Sequence, residues 1–340
     1  MSLILMELKK LVSIYFILFF ISCSNNSKPT VYSNSGRALG TTYKILYTSN
    51  SPLENIDFLT DSIFFHINRS LSTYMKSSDI SKINAGEQSV KVDSHFRNVF
   101  NKSKIIWEST NGFFDPTIGL LVKEYGLGSE TNKKSSINID SLLNLTGFEK
   151  VSLKNGLVVK HHKGIYLDFN AIAKGYCVDV ISKMLKNNNI NNHLIDIGGE
   201  MVASGKNEVS NLPWRVGLTD PLNYESNSFI YKIQLKNLAL ASSGNYRKFT
   251  IDEKSGEKIV HTINPTNGNA FATNILGTSV VAEDCITADA YATSFMAMPL
   301  EKSIELISKL KNIDGMIIYF DKKKNVQVFT TKGFDKLILN

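Results

Sequence analysis

The chain has 340 residues, 43% of them apolar and 20% charged, with a formal net charge of +7. That length buries one large core or two modest ones, and the composition is globular rather than fibrous or disordered. The basic excess is not gathered into runs interleaved with aromatics, which leaves nucleic-acid binding without support; Lys133-Lys134 and Lys322 to Lys324 read as solvated loop charges.

Lys9-Lys10 is followed by an apolar run from Leu11 to Ile21 and then Ser22-Cys23. A basic start and about a dozen apolar residues predict a signal peptide over residues 1–22, because the run is too short to span a bilayer. Cys23 after Ile21-Ser22 resembles a bacterial lipobox and is the expected lipidation site, with Phe20 where Leu is usual; the alternative is an ordinary secreted protein cut nearby. Residues 23–36, with Ser24-Asn25-Asn26-Ser27-Lys28-Pro29, read as a flexible tether. Residues 37–340 then form one domain, since no repeat or composition break divides them. Cys177 and Cys285 lie in apolar helical contexts and read as buried thiols, with a disulfide as the alternative in an export compartment.

The domain is predicted to open with a strand over residues 37–47. Ser51-Pro52-Leu53-Glu54 has the form of a capping box at a helix start, and Ile56, Leu59, Ile63, Ile67 and Leu71 follow on one helical face. Ser72-Thr73-Tyr74-Met75 is a turn. A second helix begins at Ser94 and stops at Gly112, as a glycine beyond the C-cap would dictate. Gly112-Phe113-Phe114-Asp115-Pro116 then reads either as a buried turn with core phenylalanines or as an apolar slot for a planar ring. Lys154-Asn155-Gly156 predicts a tight hairpin.

The central stretch is Asp168 to Tyr176. A strand over residues 164–167 gives way to a helix from Ala171 to about Lys186, so a carboxylate, small residues and a lysine one turn in meet at a helix N-terminus. Unpaired N–H groups and the positive end of the helix dipole suit an anion there, and Lys174 can reach a phosphate as a point charge. The remainder alternates strands and turns: 193–197 ending at Gly198-Gly199, then 214–218, 229–235, 239–243 and 278–282. A long helix carrying Thr287 to Ser294 follows, then a further helix and strands at 316–320 and 326–329.

Asp289 and Thr293 stand four residues apart, so both oxygens project from one helical face. A carboxylate and a hydroxyl make hard-oxygen ligation suited to Mg²⁺. The competing reading is a Thr bonded back onto its own helix and an Asp in a surface ion pair. His261, in a Thr/Asn/Pro-rich turn, reads either as a proton relay or as a structural histidine.

The ordered set Leu39-Gly40-Thr41, Ser72-Thr73-Tyr74, Phe114-Asp115-Pro116-Thr117, Asp168 to Tyr176, Ile197-Gly198-Gly199, Ser243-Gly244-Asn245-Tyr246, His261 to Pro265 and Ala288 to Thr293 resembles the ApbE family of FAD:protein FMN transferases. The resemblance implies an α+β (mixed α/β) fold with sheets flanked by helices and a flavin site in a cleft between sheet edges and helix starts. It implies a Mg²⁺-dependent enzyme that joins FMN from FAD, through its phosphate, to a Thr or Ser of another protein, releasing AMP. The metal would be held by Ala171 (carbonyl), Asp289 and Thr293. FAD would contact Leu39, Tyr74, Phe113, Phe114, Asp115, Asp168, Lys174 and Ile263, and His261 would assist proton removal alongside catalytic Asp289. Partners would be FAD, a flavin-carrying subunit of a membrane redox complex, and the periplasmic side of the bacterial envelope through a lipid anchor. FAD hydrolysis by the same site, or flavin binding without catalysis, are the alternatives. Two departures are noted: Asn170 stands where the family has Gly, which a left-handed Asn would tolerate, and Asn264 stands where it has Asp.

Overall fold

A computed structural model describes residues 28–128, 138–223, 226, 228–245, 249–251 and 258–339. The expected signal peptide over residues 1–22 and Cys23, Lys133-Lys134 and Tyr246 lie outside these residues. Strand β1 (Thr30–Ala38) turns through Leu39-Gly40 into β2 (Thr41–Ser49). The single strand expected over 37–47 is therefore a hairpin, and residues 30–36, expected as tether, are β-structure paired from Thr30↔Ser49 to Ala38↔Thr41. The cause is Leu39, which takes a left-handed φ of 50° beside Gly40 at 74°. Leucine at such a turn position gives no signal in the sequence, because it is a steric outlier there.

Helix α1 (Ile56–Leu71) starts after Asn55, itself left-handed at φ 58°, and no side chain caps it. The Ser51–Glu54 capping box does not form. Helices α2 (Asp79–Ala85) and α3 (Ser94–Ser109) follow; Ser78 and Asp93 cap them by accepting the Ser81 and Phe96 N–H. Short helices α4 (Gly119–Glu124) and α5 (Ile139–Leu143) and the hairpin β3 (Val151–Lys154)–β4 (Leu157–Lys160) come next. The predicted strand at 164–167 reduces to one parallel bridge, Tyr166 to Ile118. Helix α6 (Ala173–Asn187) leads into β5 (His193–Ile197), β6 (Glu200–Ser204), the hairpin β7 (Trp214–Thr219)–β8 (Phe229–Leu235), and β9 (Leu238–Gly244). The small hairpin β10 (Phe249–Ile251)–β11 (Lys258–Val260) precedes β12 (Ile275–Ala282), α7 (Cys285–Ala297), α8 (Leu300–Lys309), β13 (Asp314–Phe320), β14 (Val326–Thr330) and α9 (Lys332–Asp335).

Eight strands form one sheet in the order β1-β2-β5-β6-β9-β12-β13-β14, and every neighbouring pair is antiparallel. Alternation divides its side chains between two cores. Ile195, Ala239, Ala241 and Val280 join the main core with α1, α3, α6 and α7. Leu240, Val281, Met316 and Ile318 face the β7–β8 hairpin and Phe334 of α9. The mixed α/β architecture expected of the chain is therefore present. Among the described residues no helix is long and apolar enough to cross a membrane, and Cys177 and Cys285 are buried and unbridged.

Helix α7 is buried nearly all round, which is the arrangement expected of a helix with no polar stripe. Its alanines let α6 approach closely. The two helices exchange N-terminal capping bonds: Asp179 of α6 accepts the Cys285 and Ile286 N–H, each at 2.9 Å, while Asp289 of α7 accepts the Gly175 N–H at 2.9 Å. Burial raises Asp179 to about 7, against the lowering effect of those two N–H bonds. Each bond satisfies a donor that the first turn of a helix otherwise leaves orphaned.

Buried His193 sits between Ser182 Oγ (2.8 Å from Nε2) and the Ile190 carbonyl (3.1 Å from Nδ1). A carbonyl only accepts, so Nδ1 carries the proton and the ring is neutral. Burial depresses His193 from 6.5 to about 4, chiefly through loss of solvation of the charged form. The unfolded chain binds this proton first, so the contribution is fully present above pH 6.5 and is lost as pH falls toward 4, about 3 kcal/mol in all. His193→Gln should therefore flatten that part of the acid limb. Urea unfolding of both proteins at pH 7 and pH 5, compared as a difference so that other groups cancel, checks it.

Candidate active site

The Asp168 corner is built by local bonds. Asp168 N–H donates to the Pro116 carbonyl (2.7 Å), while its carboxylate accepts the Asn170 N–H (2.7 Å) and the Asn170 side-chain amide (3.2 Å). Asn170 is not among the residues with positive φ. The left-handed Asn expected at this departure is thus absent, and the corner holds through its side-chain bond instead. Burial raises Asp168, with those two Asn170 bonds opposing. Tyr74 is largely exposed and close enough to Asp168 to feel its charge.

Helix α6 starts two residues after Ala171. In a continued helix the Gly175 N–H would donate to the Ala171 carbonyl; here it donates to Asp289, so that carbonyl keeps its lone pairs for another partner. Asp289 is buried, not in a surface ion pair, and Thr293 follows one turn later on the same face. The neighbouring Ser294 hydroxyl bonds back to the Ala290 carbonyl (2.6 Å); no such bond ties Thr293 to its helix among the described residues.

Lys174, read from the sequence as a point charge able to reach a phosphate, has its ammonium 2.5 Å from Oε1 of buried Glu200, a residue with no signal of its own in the sequence. Burial pulls Lys174 down, but Glu200 and Asp289 together hold it above its ordinary value. Burial is also the largest influence on Asp289 and raises it against Lys174 and the Gly175 N–H. Glu200 arrives here because Gly198 and Gly199, at φ 63° and 102°, make the β5–β6 turn, and a Cβ on Gly198 would press into Thr41, 2.8 Å from its side chain. The Leu39 turn is thereby placed beside the Glu200 turn.

The other residues expected at the flavin have the following surroundings. Phe114 is a core side chain, as in the buried-turn reading. Phe113 is half-buried, with the Lys302 ammonium 5.2 Å from its ring centre. Asp115 is buried and accepts four bonds: the Thr117 N–H (2.7 Å) and hydroxyl (2.6 Å), the Phe148 N–H (3.0 Å) and the Trp107 indole (3.2 Å). Burial still leaves it raised to about 6. Asp115→Ala should cost about 3 kcal/mol of stability at neutral pH by orphaning these donors, read by urea unfolding.

Ile263 is also a core side chain, packed with Leu121 of α4 and Tyr125. Through it, and through the Tyr125 hydroxyl bonded to the Gly268 carbonyl (2.9 Å), the loop carrying His261 is fastened to the segment that follows Pro116. Asn264 closes that loop by accepting the Thr266 N–H (2.9 Å) and hydroxyl (2.8 Å). His261 has a bonded or electrostatic partner of its own. Lys174 and Asp289 are thus brought near each other at the α6–α7 contact, with Ala171 two residues before α6 and Thr293 one turn beyond Asp289; Tyr74 and Asp168 lie at the corner before α6, and His261 on the loop fastened to α4. A cleft lined by Gly199, Leu218, Ser242, Ser279 and Met316 opens past the Gly198-Gly199 turn, on the sheet face opposite α7.

Do these groups fit a divalent cation? The donors are all oxygen, and Asp289 is a buried carboxylate. No group of three or more His, Cys, Asp or Glu side chains suited to a metal occurs among the described residues. The set suits a hard cation that takes few protein ligands and completes its shell with water and phosphate, and it does not suit zinc.

A family model described as the ApbE family matches residues 39–317. The chain is 30% identical over 279 residues to a Vibrio cholerae FAD:protein FMN transferase, covering 79% of this chain and 82% of the relative. It is 28% identical over 325 residues to one from Haemophilus influenzae, covering 89% and 91%. The solved flavin transferase ApbE from Vibrio cholerae superposes with a TM-score of 0.79 at 26% identity, covering 91% of this chain and 100% of that one. The apo flavinyl transferase ApbE of Pseudomonas stutzeri gives 0.80 at 25% identity, covering 91% and 97%. Matched by the family model over residues 39–317 and 30% identical to a relative across 79% of its length, the chain belongs to the ApbE family.

Proposed function

We propose that this chain transfers FMN from FAD to a Thr or Ser hydroxyl of another protein, with AMP leaving. The observation that carries the reading is the buried Asp289, placed with Thr293 on one helical face against the start of the helix that follows Ala171. Ala171, Asp289 and Thr293 would hold Mg²⁺, which when bound supplies a positive centre for the charge on diphosphate oxygens.

The chain's own groups do the rest. The acceptor oxygen forms a bond to the FMN phosphorus as the bond to the AMP phosphate oxygen breaks, and the acceptor's hydroxyl proton passes to His261. The Lys174 ammonium and the positive end of α6 favour the negative charge that leaves with AMP. Leu39, Tyr74, Phe113 and Asp168 surround the flavin nucleotide, while Phe114, Asp115 and Ile263 keep the backbone beneath it in place. Cys23 would carry the lipid that holds the domain on the periplasmic side of the envelope, where the acceptor is a flavin-carrying subunit of a membrane redox complex.

Incubating the mature protein with FAD, Mg²⁺ and a Thr-containing acceptor peptide tests this. Fluorescent flavin bound covalently to the peptide, with AMP released one for one, is the expected result. FMN and AMP free in solution would assign hydrolysis instead, and intact FAD would leave only binding.

A further inference from the structure

Glu200 has no part in the chemistry above, yet its buried carboxylate is paired with Lys174, which does. Its Oε1 holds the Lys174 ammonium at 2.5 Å, its Oε2 has no partner, and the residue is 3% exposed. Lys174 feels both Glu200 and Asp289, and Glu200 feels Asp289. One ammonium thus stands among two buried carboxyl groups. If the ammonium were on Asp289, it would occupy the carboxylate that the proposed metal site needs. It is on Glu200 instead, and Asp289 Oδ2 accepts the Gly175 N–H at 2.9 Å.

We propose that Glu200 is a positioning residue that holds the Lys174 ammonium off Asp289 and so keeps Asp289 open to a divalent cation. The device is built into the backbone. The tight Gly198-Gly199 turn begins β6 at Glu200, which faces the first turn of α6 where Lys174 lies. The inference rests on the metal reading proposed above. It adds that a buried ion pair outside the ligand set decides which cation Asp289 binds. Ion pairing of this kind is better read as fixing a geometry than as a source of stability.

The test measures Mn²⁺ binding to the mature protein by the electron paramagnetic resonance of free Mn²⁺, alongside thermal unfolding. In Glu200→Gln the ammonium loses its anion and pairs with Asp289, and Mn²⁺ affinity should fall by roughly tenfold. In the double variant Glu200→Gln/Lys174→Met the competitor is gone, and affinity should return to within about threefold of the parent. Loss in the single variant with no recovery in the double overturns the inference, because Glu200 would then serve the cation directly. Unchanged affinity in the single variant also overturns it, leaving Glu200 a structural residue. Should Glu200→Gln not fold, Lys174→Met alone decides: tighter Mn²⁺ binding supports the inference and weaker binding defeats it. A parent protein that binds no Mn²⁺ removes the metal reading itself, which is a different failure from a bound ion indifferent to Glu200.

Discussion

Asp289→Asn should leave the fold standing and lower flavin transfer by roughly a thousandfold or more, since it takes the only carboxylate from the proposed metal set. Asparagine has the shape of aspartate and keeps a side-chain oxygen for the Gly175 N–H, so the α6–α7 contact survives while the negative charge does not. Asp289→Ala removes both. It should lose activity to the same degree and in addition cost about 1–3 kcal/mol of stability, from a buried N–H left without an acceptor. Flavinylated peptide measured by chromatography, with urea unfolding of the three proteins, separates the two effects. An Asp289→Asn protein that transfers flavin at the parent rate would end the assignment of Asp289 to catalysis.

Gly175→Ala should do its damage through packing. A Cβ at Gly175 would collide with the Cys285 carbonyl oxygen and stand 2.7 Å from Asp289 Cβ. Both obstacles belong to α7 and neither is the free end of a flexible side chain, so the helices must part. Parting them weakens the Gly175–Asp289 bond and the Asp179 bonds to Cys285 and Ile286 at once. The expected loss is about 3 kcal/mol of stability, at the upper end for overpacking, with transfer activity falling as well. Urea unfolding reads the first and the flavinylation assay the second. A variant as stable as the parent would mean that α6 and α7 do not approach as closely as described.

Which parts of this were legible beforehand follows the range of the interactions. Asn155-Gly156 forms the expected turn, with φ of 51° and 78°, because the preference is local to two residues. Helix α3 stops at Ser109, before the expected Gly112: Thr110 is its C-cap and Asn111, at φ 50°, already takes the left-handed turn that Gly112 continues at 80°. The α7 pair was readable because residues four apart on a helix share a face. The Leu39 hairpin was not, because leucine has no intrinsic preference for that conformation and is held there by the β1–β2 register. The Ser51–Glu54 motif misled for the converse reason: its residues suit a helix start, yet the helix begins at Ile56 after a left-handed Asn55.

The importance of Glu200 and Asp179 had no signal along the chain. Each acts on a partner brought near only by folding: Lys174 across the β5–β6 turn for one, the start of α7 for the other. The same holds for Asp115, Phe114 and Ile263, whose residue types suit a ligand contact as well as they suit the knot or core where they reside.

By itself the sequence determined the mixed α/β class, the order of most elements, the helix-borne oxygen pair and the corner at Asp168, since these depend on periodicity, turn chemistry and motif order. Only the tertiary structure decided that Lys174 is already held by a carboxylate, that Asp289 is buried and caps a second helix, and which aromatic residues are core. Those outcomes depend on desolvation and on contacts between segments distant in the chain, and neither quantity exists until the chain is folded.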